Sequence, residues 1–135
     1  MADLDFSKLK VLIVDDDQFY RGILKRLLFQ AGVRMIAEAE NGEAAISAIT
    51  RLKPDAVLCD IEMEPVDGIE VLRRIRSIDT QQIATTPIIM VTSHATSDLV
   101  KQAVQYQASG YLVKPVSLTD IQKRLTVGIQ TRPEV

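Results

Sequence analysis

The 135-residue length, at roughly 150 residues per domain, leaves room for one folded domain over 1–135 and no second. A 47% apolar content suits one hydrophobic core that needs neither disulfides nor a structural metal. Sixteen Lys and Arg against eighteen Asp and Glu, net −2 with no run of five or more of either sign, exclude a basic nucleic-acid footprint and a polybasic membrane patch.

A single cysteine, Cys59, rules out an internal disulfide and a cysteine-rich zinc site, and fits a reducing cytoplasm. Met1 to Lys10 contains Asp3 and Asp5 and no apolar stretch, so no secretory signal is expected there. Nothing approaches the ~18 consecutive apolar residues a membrane span requires.

In chain order, the apolar run Val11 to Val14 predicts a strand, and Ile23, Leu24, Leu27 and Leu28 share one helical face closed by Gly32. Val33 to Ala37, more polar, reads as a strand nearer an edge; Asn41-Gly42 turns into a helix carrying Ala44, Ala45, Ala48 and Ile49, which Pro54 stops. Ala56 to Cys59 is the third strand, and Asp67-Gly68 opens a helix with Ile69, Leu72 and Ile75 inward. Asp79 to Thr86 reads as one long polar connection ended by Pro87. Ile88 to Val91 is the fourth strand, Leu99, Ala103 and Tyr106 mark the fourth helix, and Tyr111 to Val113 is the fifth strand. Ser117 and Asp120 resemble a capping box before a last helix with Ile121, Leu125 and Ile129 inward. Alternating strands and helices imply right-handed crossovers and a parallel sheet covered on both faces, a doubly wound (βα)5 fold. Ligands of such sheets bind beyond the carboxyl ends of the strands.

The strand endings carry a pattern that packing does not need. Asp15, Asp16 and Asp17 follow the first run, Asp60 the third, Thr92 the fourth and Lys114 the fifth. On parallel strands about 4.8 Å apart these side chains gather along one edge. Two carboxylates 4 Å apart repel by roughly 4 kcal/mol at an effective dielectric of 20. Lys114 offsets one charge, and a hard divalent cation such as Mg²⁺ offsets the rest with carboxylate, water and phosphate oxygens. Acids, a hydroxyl and an amine around such an ion suit phosphoryl transfer, in which a carboxylate can be the nucleophile. Asp60 is the candidate, because it lies between the acid pair and the Thr92–Lys114 pair.

The segments LIVDDD (Leu12 to Asp17), Asp60 to Gly68, Met90 to Ser93 and Ser109 to Pro115 resemble those of response-regulator receiver domains of bacterial two-component signalling, over roughly residues 9 to 130. The resemblance implies a flavodoxin-like five-stranded sheet of order 2-1-3-4-5 and a stand-alone phosphorylation switch, not an enzyme beyond its own phosphorylation and dephosphorylation. It implies phosphoryl acceptance on Asp60 from a histidine kinase or phosphotransfer protein, with Mg²⁺ held by Asp15, Asp16, Asp60 and the main-chain carbonyl of Glu62. Thr92 and Lys114 would bind phosphoryl oxygens. Tyr111 would turn inward behind Thr92 and alter the face of the fourth helix, fifth strand and fifth helix, which would meet a downstream protein or a second copy. The Lys114-Pro115 bond would be cis. The family pattern has proline directly after the methionine of the third loop; here Glu64 intervenes before Pro65. Glu62 and His94 occupy positions that tune phosphoryl lifetime in the family.

Plainer readings stand beside these. Asp17 reads as a helix N-cap. His94 reads as an exposed loop residue, Cys59 as a small buried hydrophobe, and Lys123, Arg124 and Arg132 as a solvated helix face. The alternative function is an unphosphorylated, receiver-like docking module. A phosphatase or mutase with an Asp-x-Asp nucleophile is disfavoured, since Asp17-Gln18 lacks the expected Gly-Thr. A flavin-binding flavodoxin is disfavoured by the acidic first loop.

Overall fold

The computed structural model of the chain describes residues 4–132. A 3-10 turn, Phe6–Lys8, leads into β1 (Lys10–Val14), α1 (Gln18–Ala31), β2 (Met35–Ala39), α2 (Gly42–Leu52) and β3 (Ala56–Asp60). Then follow α3 (Gly68–Arg76), a single helical turn Gln81–Ala84, β4 (Ile88–Thr92), α4 (Ser97–Gln105), β5 (Gly110–Val113) and α5 (Leu118–Gln130).

The strands form one parallel sheet of order β2-β1-β3-β4-β5, the order expected from the resemblance. The three central strands, β1, β3 and β4, read as unbroken apolar runs because each feeds two cores. Leu12, Val14, Val57, Cys59, Ile88 and Met90 pack on the α2, α3 and α4 side. Val11, Ile13, Ala56, Leu58, Ile89 and Val91 pack on the α1 and α5 side. Cys59 lies within this packing, and burial raises its thiol pKa far above the usual range, as expected of an inert hydrophobe.

The sequence punctuation works as its chemistry suggests. Asp17, Asn41, Asp67 and Ser117 cap helix N-termini through side-chain oxygens that accept backbone N–H groups. Gly32 ends α1 at φ 109°, a left-handed conformation that glycine adopts without a β-carbon penalty.

Three expectations are corrected. β2 begins at Met35 rather than Val33, because Val33 belongs to the closing motif of α1. Its N–H donates to the Leu28 carbonyl at 3.0 Å, and both side chains are buried together. The Asp79–Thr86 connection is not simply polar: it holds the turn Gln81–Ala84, whose Ile83 and Ala84 are buried. Arg132 is exposed, as expected, but lies beyond the end of α5 rather than on its face, and its guanidinium donates to Thr85 Oγ1 at 3.0 Å and the Gln82 carbonyl at 2.6 Å.

Candidate functional site at the carboxyl edge

Sheet order reverses between β1 and β3, and the polar strand endings converge beside that point. Asp15, immediately after β1, is almost fully buried and has a partner for each polar group. Its N–H donates to the Ala39 carbonyl at 3.2 Å, and its own carbonyl accepts from Arg21 at 2.6 Å. Asp15 Oδ1 accepts from the Asp17 N–H at 2.9 Å, while Oδ2 accepts from Lys114 Nζ at 3.0 Å.

Asp60, the last residue of β3, is buried as well. Its Oδ2 lies 3.8 Å from Lys114 Nζ, and its Oδ1 accepts a long hydrogen bond of 3.4 Å from the Glu62 N–H. Burial, followed by the neighbouring Asp15 charge, pushes the Asp60 carboxyl up to about 6; Lys114 opposes the shift without cancelling it. Burial works against the Lys114 ammonium, but the Asp15 hydrogen bond and the Asp60 charge outweigh it, leaving its pKa above the usual value.

Asp16 stands exposed beside them, and one oxygen each from Asp15, Asp16 and Asp60 lie within 4.8 Å of one another. Three hard carboxylate oxygens so grouped, with one face open, are a fitting donor set for a hard divalent cation that keeps water ligands.

Thr92 ends β4 on the other side of Asp60. Its hydroxyl is buried and accepts from the His94 N–H at 3.0 Å. His94 is exposed, as expected, but its ring Nδ1 is hydrogen-bonded to Glu62 Oε1 at 2.8 Å. The Glu62 carboxylate thus joins the loop after β3 to the loop after β4. Tyr111 is 41% exposed, so it does not lie fully inward; it borders a small apolar cavity shared with Thr92, Ala95, Leu99 and Ala103.

The shifted proline leaves the third loop well anchored. Glu64-Pro65 and Lys114-Pro115 are both cis, the second as anticipated. Met63 and Val66 are buried, and Gly68 N–H donates to the Ile61 carbonyl at 2.9 Å.

Asp15, Asp16, Asp60, Glu62, Thr92 and Lys114 thus gather at one edge, with Tyr111 bordering the cavity beside Thr92. Two contributors were missed. Arg21 secures the Asp15 carbonyl, and Tyr20 lies under Lys114 with its ring centroid 4.2 Å from Nζ. Tyr20 extends the Leu24–Leu27 stripe by one helical turn toward the site, which is the signal that would have revealed it.

Fold and edge together define a doubly wound, flavodoxin-like α/β protein with an acidic carboxyl-end site. Residues 11–126 match the response regulator receiver domain, and the chain belongs to that family. It is 39% identical over 106 residues to the chemotaxis protein CheY of Bacillus subtilis, covering 78% of this chain and 85% of that protein. It is 40% identical over 119 residues to the positive alginate biosynthesis regulatory protein of Pseudomonas aeruginosa, covering 87% of this chain but 46% of that protein. The chain thus spans about half of that second relative. The structure of Vibrio cholerae chemotaxis protein CheY4 superposes with a TM-score of 0.78 at 28% identity, covering 87% of this chain and 95% of that one. Among the described residues, no helix is long and apolar enough to cross a membrane.

Proposed function

We propose that the chain is a cytoplasmic phosphoacceptor whose Asp60 takes a phosphoryl group from a histidine kinase or phosphotransfer protein and whose altered surface controls a partner protein. One observation carries this reading. Asp60 is a buried carboxylate between an acid pair and a lysine, with Lys114 Nζ at 3.8 Å and the Asp15 and Asp16 carboxylates gathered alongside. A structural aspartate gains nothing from that crowding; a nucleophile does.

Asp15, Asp16, Asp60 and the main-chain carbonyl of Glu62 would hold Mg²⁺, which supplies charge neutralisation to the phosphoryl oxygens when bound. Asp60 Oδ attacks phosphorus, the new O–P bond forms as the bond to the donor breaks, and the donor leaves with its electron pair. Lys114 then pairs with one phosphoryl oxygen, and Thr92 donates its hydroxyl proton to another, giving up the hydrogen bond it now donates to the His94 carbonyl at 3.3 Å. Water later attacks the acyl phosphate and returns Asp60 with inorganic phosphate. The protein therefore acts on itself rather than on a turnover substrate.

The partner surface is the face of α4, β5 and α5, where Val104, Tyr111, Val113 and Val127 are exposed. Thr92 and Tyr111 border one cavity, so a moved threonine changes the room available to the tyrosine and biases a two-state surface. A downstream protein or a second copy would read it.

Incubation with Mg²⁺ and acetyl phosphate should add about 80 Da, one phosphoryl unit, in a metal-dependent manner. Asp60→Ala should gain nothing. An unchanged wild-type mass, also unresponsive to beryllofluoride, would favour docking without phosphorylation; a gain that persists in Asp60→Ala would place the nucleophile elsewhere.

A further inference from the structure

Lysine is a point charge on a flexible four-carbon stem, and Lys114 has two acids to choose between. It sits 3.0 Å from Asp15 Oδ2 and 3.8 Å from Asp60 Oδ2. Asp15 alone would draw it away from the residue that receives the phosphoryl group. A third, uncharged contact comes from Tyr20 in α1, whose ring centroid is 4.2 Å from Nζ. The same side chain reaches the backbone that follows the lysine: its hydroxyl accepts the Val116 N–H at 3.2 Å. The Lys114 N–H in turn donates to the Thr92 carbonyl at 2.8 Å. The β5–α5 junction is thereby tied to β4 on one side and to α1 on the other.

An aromatic face suits this task. It attracts an ammonium through its quadrupole but offers no proton acceptor and no full negative charge. A carboxylate in its place would neutralise the lysine, and an aliphatic side chain would exert no pull on it. We propose that Tyr20 is a positioning residue for phosphoryl uptake: its ring holds the Lys114 ammonium between the two acids, and its hydroxyl fixes the chain that carries that lysine. This rests on the phosphoacceptor reading above. The two halves of the role are separable, since Tyr20→Phe keeps the ring and loses the hydroxyl, while Tyr20→Met or Tyr20→Leu removes both and leaves a smaller apolar side chain.

The test follows the initial rate of mass gain from acetyl phosphate at saturating Mg²⁺, corrected for the folded fraction from thermal melts. The ¹⁵Nζ signal of Lys114 is recorded without donor. Tyr20→Met should slow uptake roughly tenfold, as loss of placement does, and broaden the ammonium signal. Tyr20→Phe should keep a narrow signal and lose about threefold or less. Tyr20→Leu stands in should Tyr20→Met fail to fold. A purely structural tyrosine would lower the melting temperature of the variants while leaving the rate per folded molecule and the Lys114 signal untouched, and that result would overturn the proposal. No mass gain in the wild type would instead sink the phosphoacceptor reading itself, and the inference with it.

Discussion

The α-carbon of Gly68 lies against the main-chain carbonyl of Asp60, so closely that a β-carbon at position 68 would overlap that oxygen. The residue that starts α3 is therefore seated on the residue that ends β3, and the loop between them, Ile61 to Asp67, is closed by the Gly68 N–H donating to the Ile61 carbonyl at 2.9 Å. The backbone under the candidate phosphoacceptor is fixed by an absence of side chain.

Gly68→Ala should accordingly destabilise the protein by about 2 kcal/mol or more, because the obstacle is backbone and cannot rotate away. It should also slow phosphoryl uptake by displacing Asp60. Gly22, in the interior of α1, has open space where its β-carbon would stand. Gly22→Ala should be neutral or stabilising by up to about 1 kcal/mol through helix propensity. Denaturant midpoints of the two variants decide this; equal effects would refute the close-approach account.

The Asp60 carboxyl, raised to about 6 mainly by burial and then by Asp15, links stability to pH with a definite sign. The unfolded side chain titrates near about 3.9, so between the two values the folded state holds more protons than the unfolded one. Stability on this account falls as pH rises from about 4 through 6. Asp60→Asn removes the penalty. The variant should match the wild type near pH 4 and exceed it by about 3 kcal/mol near neutrality. A stability difference that stays flat with pH would show that Asp60 is not held in this way.

The same crowding predicts a response to metal. Cation binding to the folded state alone should stabilise it, by about 2.7 kcal/mol at a hundredfold excess over Kd. The shift in melting temperature with Mg²⁺ should shrink in Asp15→Asn and in Asp60→Asn, whose carboxylates share the cluster with Asp16. Calorimetric titration of the three proteins provides an independent measure, and undiminished binding in both variants would place the metal elsewhere.

Much of this architecture was legible because local signals agreed with each other. Strand runs that feed two cores have no polar side to hide, so their endings stand out: Asp15, Asp60, Thr92 and Lys114 all lie where parallel strands stop. Caps such as Asp17, Asn41, Asp67 and Ser117 were readable for the same reason, since each satisfies a backbone donor within its own turn. What escaped was non-local. Val33 looked like strand because its β-branched side chain is apolar, whereas its N–H is committed to the Leu28 carbonyl of the preceding helix. The hold of Tyr20 on Lys114 spans most of the chain, and no spacing rule connects the two. Gly68 was read as turn punctuation, while its deeper reason is the Asp60 carbonyl above it. Arg132 is exposed, as long charged side chains usually are, but its bonds to Thr85 and the Gln82 carbonyl link positions far apart in sequence.

Arg76 extends that lesson to stability. At the end of α3, its guanidinium donates to the Ala84 carbonyl at 3.0 Å and the Thr86 carbonyl at 2.7 Å, and twice to the Gln107 carbonyl, at 3.2 and 3.0 Å. Burial and then the charge of Arg132 lower its pKa to about 10, yet it stays charged near neutrality. One planar fork thus ties α3 to the turn before β4 and to the junction after α4, a geometry that a lysine cannot reproduce. Arg76→Met should cost about 3 kcal/mol, since charge-assisted bonds are lost and partly buried carbonyls are left without donors. Arg76→Lys should recover little of it. Arg132→Met, which breaks contacts at the more exposed edge of the same turn, should cost about 1 kcal/mol or less. Hydrogen exchange should localise the damage: the Thr85 and Thr86 amides, which donate to Gln81 and Ile83, should exchange faster in Arg76→Met while the β1 and β3 amides keep the protection of the global fold. Equal losses for Arg76→Met and Arg132→Met would show that the fork is not what secures this turn.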